Sequence, residues 1–329
     1  MDISFFTNPG DLNTYGGYGT AGFGIVTALQ RLGHSVPWNS TEAPVKLNFS
    51  FPSVFVDELN VDQHNIYLAV WESTELQPEW PEIIDLVDEV WTASTWCAKM
   101  MEGNGFKVNK VYPHGVDPIW TPAKRTVTDK VRFLFVGGNG ARKNPQMTFD
   151  AFKAAFGDKD DVELILKEKR SSDVRVYNGR NIIGVPGGNV KVITSILEED
   201  QMVDLFHQSH CFVLPTSGEG FGKPALDALG TGIPSITTAE CSEYSDFLGK
   251  LGLNSTYVDS PWSSMHPGQV LKPDFDDLVD KYRYVYDNIE TLLPTYHQQS
   301  FKVHDAYDWD TLTAEAFENI VNTFDVTNK

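Results

Sequence analysis

Two carboxylates eight positions apart, Glu219 and Asp227, lie in the chemically richest stretch of this 329-residue chain, Cys211–Pro234. The stretch reads as an apolar strand, a glycine-bearing loop and a helix with Pro224 at its first position, where a missing N–H costs nothing. Unpaired N–H groups at such a helix start favour an anion or a sugar hydroxyl. Each carboxylate can accept hydrogen bonds from a diol, for example one on a sugar and one on a ribose. The loop and helix-start residues expected at this site are Gly220, Phe221, Gly222 and Lys223.

A second loop, Gly137–Asn144, follows the first strand of the second half of the chain. Glycines such as Gly138 let the backbone approach a ligand closely, and Arg142 with Lys143 bring two cations to one place. Lys167, which ends the next strand, is a further candidate for the same cleft. The pattern predicts a site for an anion, and a surface turn with solvated cations is the alternative.

A third glycine-rich segment has the spacing G-x-G-x-x-G at Gly17, Gly19 and Gly22. This spacing alone suggests a dinucleotide site and an NAD(P)-dependent oxidoreductase. About ten loop residues separate it from the strand Asp2–Thr7, although the fingerprint needs the turn directly after the strand. The second predicted strand, Ser35–Trp38, also ends without an acidic residue. An oxidoreductase is therefore the less favoured alternative.

Strand-like and helical patterns alternate through both halves, which is typical of parallel, doubly wound α/β sheets. We predict an α/β fold of two doubly wound domains that face a central cleft. Residues 1–122 form the first domain, 123–300 the second, and 301–329 a C-terminal helix that packs back on the first. Further predicted elements are the helices Phe23–Leu32, Met147–Phe156 and Trp309–Phe324 and the strands Asn65–Val70, Glu89–Ala93, Lys110–Tyr112, Val131–Val136, Val162–Lys167 and Cys211–Leu214.

The segment around Glu219 resembles the E-x7-E region of the family-four retaining glycosyltransferases of the glycosyltransferase B fold, which consists of two Rossmann-like domains. The resemblance implies that Glu219 contacts the transferred sugar and Asp227 the ribose of a nucleotide-sugar donor. Asp227 is one methylene shorter than the usual Glu. Lys143 and Arg142 correspond to cations that neutralise the donor diphosphate, although the family often has Arg where this chain has Gly138.

Other stretches extend the resemblance over nearly the whole chain: Val70–Ser73, Glu89–Ser94, Pro113–Asp117 and Tyr307–Asp310. The family also has a glycine-rich loop near the diphosphate and acceptor, which makes Gly17 and Gly19 donor-site candidates. Some members place a His after the fourth N-terminal strand, where this chain has Trp71 and Glu72. Both are acceptor-site candidates, with an exposed loop acid as the alternative for Glu72. His114 is expected to be structural rather than catalytic.

The function implied by the resemblance is transfer of a hexose or related sugar, with retention, from a UDP- or GDP-sugar to an acceptor hydroxyl. The acceptor stays open among saccharides, lipid carriers, proteins and modified nucleic-acid bases. A non-catalytic nucleotide-sugar binding protein of the same fold is the main alternative. No cofactor besides the co-substrate and no metal are expected, because the D-x-D tripeptides Asp274–Asp276 and Asp308–Asp310 do not end strands of a nucleotide-binding domain.

Composition limits the remaining possibilities. A formal charge of −19 argues against broad nonspecific binding of nucleic acid or anionic lipid, since such binding needs an excess of basic residues. Residues 123–180 are the exception, with 13 of the 26 basic but 8 of the 45 acidic residues. No secretory signal or membrane span is evident, which predicts a cytoplasmic protein. The three scattered cysteines, Cys97, Cys211 and Cys241, are expected to be buried free thiols.

Overall fold

The computed structural model describes residues 1–8, 17–138, 141–168, 176–177, 180–181 and 188–324. Its first sheet contains five parallel strands whose order in space follows their order in the chain. They are β1 (Ile3–Phe6), β2 (Val45–Asn48), β3 (His64–Ala69), β4 (Glu89–Thr92) and β5 (Lys110–Val111). On the other side of β1, Ser35 and Trp38 pair with it through two isolated parallel bridges. The sheet thus extends on both sides of β1.

Helices cover both faces of this sheet, as parallel strands require. Those of the first domain are α1 (Gly17–Arg31), α2 (Pro52–Phe55), α3 (Trp80–Ile84) and α4 (Thr95–Gly103). One apolar core lies between the sheet and α1, and another lies between the sheet and α2 to α4. Residues such as Leu47, Leu68 and Trp91 in the first core and Tyr67 in the second are fully or almost fully buried.

The second sheet has six parallel strands in the spatial order β10, β7, β6, β11, β12, β13. Their bounds are β6 (Val131–Gly137), β7 (Val162–Glu168), β10 (Val190–Ile193), β11 (Cys211–Leu214), β12 (Ser235–Thr238) and β13 (Gly252–Leu253). The chain order reverses between β6 and β11, so this is a doubly wound sheet whose switch point lies at the carboxyl ends of those two strands. Its helices are α5 (Pro145–Phe156), α6 (Glu199–His207) and α7 (Lys223–Thr231).

Two antiparallel pairs and two long helices complete the described chain. The pairs are β8 (Val176–Tyr177) with β9 (Arg180–Asn181), and β14 (Ser255–Asp259) with β15 (Gln269–Pro273). Helix α8 (Phe275–Ala306) packs on α5 and α7 of the second domain. Helix α9 (Trp309–Phe324) returns to the first domain, where Trp309, Phe317 and Ile320 join the core around α1.

The structure confirms the predicted α/β class with two parallel sheets, and it corrects several elements. The strand β2 was missed, because Lys46 and Asn48 interrupt its apolar pattern. Both are buried, and Lys46 donates hydrogen bonds to Asn39 and to the carbonyl of Glu58. Ser35–Trp38 contributes only bridges rather than a full strand. The predicted boundary at residue 300 falls inside α8, an element that was not predicted.

The glycine-rich segment from Gly17 is a helix, so the prediction of a loop there is wrong; Tyr15 and Gly16 lie outside the described residues. Packing explains two of its glycines. A Cβ at Gly22 would lie 3.1 Å from the Phe5 ring, and one at Gly24 would overlap the Trp309 ring. Glycines therefore let α1 approach the sheet and α9 closely.

Candidate functional site

The loop between β11 and α7, residues 215–222, lies at the switch point of the second sheet. Gly222 ends it with φ +83°, and the Tyr244 hydroxyl donates a hydrogen bond of 2.8 Å to its carbonyl. A Cβ at Gly222 would lie 2.5 Å from that hydroxyl oxygen, so glycine is required for both conformation and space. Pro224 occupies the second helical position rather than the predicted first. At either position the N–H has no intrahelical acceptor. A proline in the first turn therefore removes no hydrogen bond from the helix, as the prediction assumed.

A cluster of opposite charges surrounds Glu219. Its Oε1 lies 3.1 Å from Arg142 Nη1 and 3.4 Å from Lys143 Nζ, and it accepts a 3.0 Å hydrogen bond from the Thr216 hydroxyl. Arg142 also donates to the carbonyl of Gly218, and its Nη2 lies 3.2 Å from Glu72 Oε1 of the first domain. The structure thus brings together the three predicted catalytic residues and the acceptor candidate Glu72.

The two carboxyls of this cluster have different protonation behaviour. Burial opposes the ionisation of Glu219, but Lys143 and Arg142 outweigh it and hold the pKa of Glu219 below its ordinary value. Burial and the neighbouring Glu219 raise the pKa of Glu72, and Arg142 and Lys143 offset this only in part. Glu219 is therefore an ionised acceptor of hydrogen bonds, whereas Glu72 takes up a proton more readily.

Asp227 lies in a second cluster. Lys223 Nζ lies 2.7 Å from Asp227 Oδ1 and 2.8 Å from Asp117 Oδ2, so one buried lysine joins α7 to the segment that leaves the first domain. Burial raises the pKa of Asp227 to about 7 against the opposing charge of Lys223. No hydrogen bond or ion pair between described residues links Asp227 to Glu219. Asp227 and Lys223 thus lie at the junction between the two domains.

Glycines in the 215–222 loop allow the two domains to touch. A Cβ at Gly218 would overlap the backbone oxygen of Glu72, and one at Gly220 would lie 2.6 Å from Val70 Cβ. The Ser94 hydroxyl donates a 2.7 Å hydrogen bond to the Gly220 carbonyl. The loop therefore packs directly on the carboxyl ends of β3 and β4.

The antiparallel pair β14 and β15, here called the strap (residues 255–273), also reaches the first domain. Thr74 and Gln269 exchange two hydrogen bonds, and Gln77 donates to the carbonyl of Met265. The strap places His266 Nδ1 3.8 Å from Glu72 Oε2 and its ring 5.2 Å from that of Trp71. It also forms one wall of an open groove of about 670 Å³, whose other walls include Asn144, Ser217 and the start of α8.

The remaining predicted residues lie in several parts of the two domains. Trp71 is buried, and its Nε1 donates a hydrogen bond to the Glu75 carbonyl. Its ring is therefore part of the packing next to Glu72. Lys167 is buried, and its Nζ donates to the Glu168 carbonyl. Phe221 packs 4.7 Å from the ring of His114, a buried imidazole whose pKa burial and the nearby Lys223 lower to about 3. A Cβ at Gly138 would meet open space; Gly17 is exposed at the start of α1, and Gly19 is buried within it.

Sequence reasoning missed Thr216, His266 and the Asp117–Lys223 pair. The spacing of Lys223 and Asp227 by four positions on a helix was a usable signal for an ion pair. No local pattern connects His266 or Asp117 to the site, because each reaches it through the packing of distant elements.

The acidic tripeptides have local structural roles. Asp274 accepts a hydrogen bond from the Asp277 N–H at the start of α8, and Asp308 accepts one from Thr311 at the start of α9. Among the described residues, no group of three His, Cys, Asp or Glu side chains is arranged to hold a metal ion.

All three cysteines are buried free thiols, as predicted. Every helix in the described part of the chain is too short or too polar to span a bilayer.

Solved structures of known proteins share this architecture. Sucrose-phosphate synthase from Thermosynechococcus elongatus is 12% identical with a TM-score of 0.71, covering 98% of this chain and 99% of its own. WaaG, a glycosyltransferase involved in lipopolysaccharide biosynthesis, is 11% identical with a TM-score of 0.61, covering 96% and 98%. An E. coli trehalose-6-phosphate protein bound with UDP-2-fluoro glucose is 12% identical with a TM-score of 0.59, covering 92% and 77%. The chain thus has the glycosyltransferase B fold.

Sequence comparison finds a family similarity in the second domain. Residues 130–255 match the family model of the group 1 glycosyl transferases. A relative in Sulfolobus islandicus filamentous virus (isolate Iceland/Hveragerdi), named as a candidate glycosyltransferase (number 41), is 26% identical over 201 residues. The match covers 61% of this chain and 47% of that relative, about half its length. The resemblance seen in the sequence is confirmed, and the E-x7-E assignment itself stays a prediction.

Proposed function

We propose that the protein is a retaining glycosyltransferase that moves a hexose from a UDP- or GDP-sugar to an acceptor hydroxyl. The observation that carries this proposal is the cluster of Arg142, Lys143 and Glu219 beside a helix start, within a domain that matches the group 1 family model. Two cations and a helix N-terminus suit a diphosphate, and an ionised carboxylate suits sugar hydroxyls. One of the similar structures is described as bound with UDP-2-fluoro glucose.

Donor binding replaces one set of anionic partners with another. Glu219 and Glu72 pair with the cations in the structure, so a diphosphate would compete with these two carboxylates for Arg142 and Lys143. Glu219 would then accept hydrogen bonds from the sugar. The other donor contacts that we propose are Gly17, Gly19, Gly138, Lys167, Gly220, Phe221, Gly222, Lys223 and Asp227.

The proposed reaction exchanges one bond at the anomeric carbon. The acceptor oxygen bonds to that carbon on the face from which the diphosphate leaves, while the bond between the carbon and the phosphate oxygen breaks. The departing phosphate oxygen takes the acceptor's proton, which releases a nucleoside diphosphate. Lys143 and Arg142 stabilise the negative charge that develops on the leaving group. Since these two cations supply the required positive charge, we propose that turnover persists in the presence of EDTA.

Replacing Lys143 by Ala tests the proposal. We expect turnover of the best donor in a nucleotide-sugar panel to fall by about 10²-fold or more, the usual cost of removing one preorganised charge. Release of nucleoside diphosphate measures it, with and without added acceptors. Lys153→Ala is the matched control, because this lysine of the same domain binds Asp158 and Asn189 instead. Unchanged turnover in Lys143→Ala, with Tm preserved, would remove Lys143 from the site. Donor binding without any nucleotide release would favour a non-catalytic binding protein.

A further inference from the structure

A row of aromatic rings lines the first domain beside the proposed donor site. The ring of Tyr18 lies 4.8 Å from that of Phe49 and 5.5 Å from that of Phe51, and Phe51 stacks on Trp80 at 5.4 Å with an interplanar angle of 28°. Trp80 in turn lies 4.5 Å from Trp71. Phe49 and Trp80 are buried, whereas Phe51 is 38% exposed. We call Tyr18, Phe49, Phe51 and Trp80 the aromatic shelf.

The shelf and Glu72 share one edge of the first sheet. Phe49 and Phe51 follow β2, and Trp71 and Glu72 follow β3, so all four lie at the carboxyl ends of neighbouring parallel strands. The loop that carries Glu219 packs on the same edge through Gly220. A molecule resting on Phe51 would therefore lie on the side of the cleft opposite the donor cations.

The charge of this edge restricts what can rest there. From residue 1 to residue 98, Arg31 and Lys46 are the only Lys or Arg residues, whereas residues 47–98 contain ten Asp or Glu. Neither cation is available for a ligand. Arg31 pairs with Asp310 at 2.5 Å, and the buried Lys46 bonds to Asn39 and Glu58. At Glu72 the cation within ion-pair distance is Arg142, at 3.2 Å, and the proposed function assigns Arg142 to the donor diphosphate, so an acceptor phosphate would compete with the donor for it.

We propose that the shelf binds an uncharged sugar ring as the acceptor, with its apolar face against Phe51 and its hydroxyls directed toward Glu72. This inference rests on the proposed function, and it narrows the acceptor to a neutral saccharide or glycoside. An aromatic face offers apolar contact area to the C–H groups of a pyranose, and a carboxylate accepts hydrogen bonds from its hydroxyls. We expect phosphorylated sugars, phospholipid carriers and nucleic acids to bind less well, because Glu72 repels a phosphate and Arg142 is assigned to the donor.

Paired substrates test the acceptor class. Methyl hexosides and their 6-phosphates are offered to the full chain together with whichever nucleotide sugar it hydrolyses. We expect the neutral member of each pair to be glycosylated with a kcat/KM at least about 10-fold higher, the effect of roughly one uncompensated charge contact. Equal or better use of the phosphorylated member would overturn the proposal.

Phe51→Ala tests the shelf itself. We expect the acceptor KM to rise about 5-fold or more, the size of one lost aromatic contact, while donor hydrolysis without acceptor stays unchanged. Phe51→Tyr keeps the ring and should retain the wild-type KM. Phe23→Ala is the matched control, since Phe23 is a 64% exposed aromatic residue of the same domain outside the shelf. An unchanged KM in Phe51→Ala would remove the shelf from acceptor binding.

A readout without turnover separates this inference from the proposed function. Saturation-transfer NMR with the methyl hexosides, in the absence of donor, should show binding to wild type and Phe23→Ala and weaker binding to Phe51→Ala. If no nucleotide sugar is hydrolysed but the Phe51-dependent NMR signal is present, the proposed function is wrong and sugar binding by the aromatic shelf is supported. If donor is hydrolysed but no hexoside gives a Phe51-dependent signal, the shelf fails alone.

Discussion

Glu219 and Asp227 carry the same functional group in opposite electrostatic settings. Two cations within 3.4 Å hold the pKa of Glu219 below its ordinary value. Asp227 shares one lysine with Asp117 in a buried junction, and its pKa rises to about 7. The number of cations per carboxylate therefore separates a carboxylate that stays ionised from one that binds a proton near neutrality.

Asp227→Asn should change how stability depends on pH. A carboxyl with a pKa of about 7 in the folded protein and an ordinary value of 3.8 takes up a proton on folding between these values. Its stabilising contribution is present on the acidic side and is lost as pH rises through about 7. We expect the Tm of wild type minus that of Asp227→Asn to fall as pH increases from 5 to 8. A Tm difference that is independent of pH would contradict the assignment.

At the residue level, much of the cluster could be predicted because its members lie next to glycines at strand ends. Arg142, Lys143 and Glu219 were assigned to one cleft from their local sequence together with the family resemblance, and the structure brings them into contact. The placement of Asp227 could not be predicted in the same way. Its partner Asp117 is distant in sequence, and only the packing of the two domains brings it to Lys223.

At the element level, the 215–222 loop acts as a close-fitting contact between domains. Strand β11, which precedes this loop, was predicted well, since buried parallel strands read as continuous apolar runs. Strand β2 was missed because its buried Lys46 and Asn48 resemble surface residues. The strap was missed because its contacts with Thr74 and Gln77 have no local sequence signal.

Gly220→Ala should separate the loop from the first domain. The new methyl group would lie 2.6 Å from Val70 Cβ and 2.9 Å from Val70 Cα, which forces the backbone to move. We expect a loss of about 1–3 kcal/mol in the free energy of unfolding, typical of overpacking, together with loss of turnover. Urea denaturation and donor hydrolysis measure the two effects. Gly103→Ala is the control, because a Cβ there meets nothing within 4 Å; equal effects in both variants would refute the close-contact account.

At the level of the whole molecule, Trp309 connects the last helix to the first domain and to the junction. It is 2% exposed, its ring fills the space beside Gly24 and Gly115, and its Nε1 donates to Asp117 at 2.8 Å. The sequence analysis predicted that a C-terminal helix packs back on the first domain. Its anchoring residue was not predicted, since an apolar residue at helical spacing does not reveal which surface it covers.

Trp309→Ala should destabilise the first domain more than the second. We expect a loss of about 3–5 kcal/mol in the free energy of unfolding, the usual cost of removing a buried Trp. Hydrogen exchange should show faster exchange in β1 and α1 than in β6 and β11. Phe301→Ala, which truncates a 51% exposed side chain of α8, should change the free energy by less than about 0.5 kcal/mol. Uniform acceleration across both sheets would show that the domains unfold as one unit.

Helix α9 also sets the order in which the protein can mature on the ribosome. The first domain is synthesised first, but the core around α1 takes residues from Trp309 to Ile320, near the end of the described chain. While the second domain emerges and folds, this apolar surface of α1 and the sheet stays uncovered. Domains otherwise tend to fold in the order of their synthesis. Here the domain that is translated first completes its apolar core last. Chaperones that bind nascent apolar surfaces therefore have the most time to bind the uncovered surface of α1 and the first sheet.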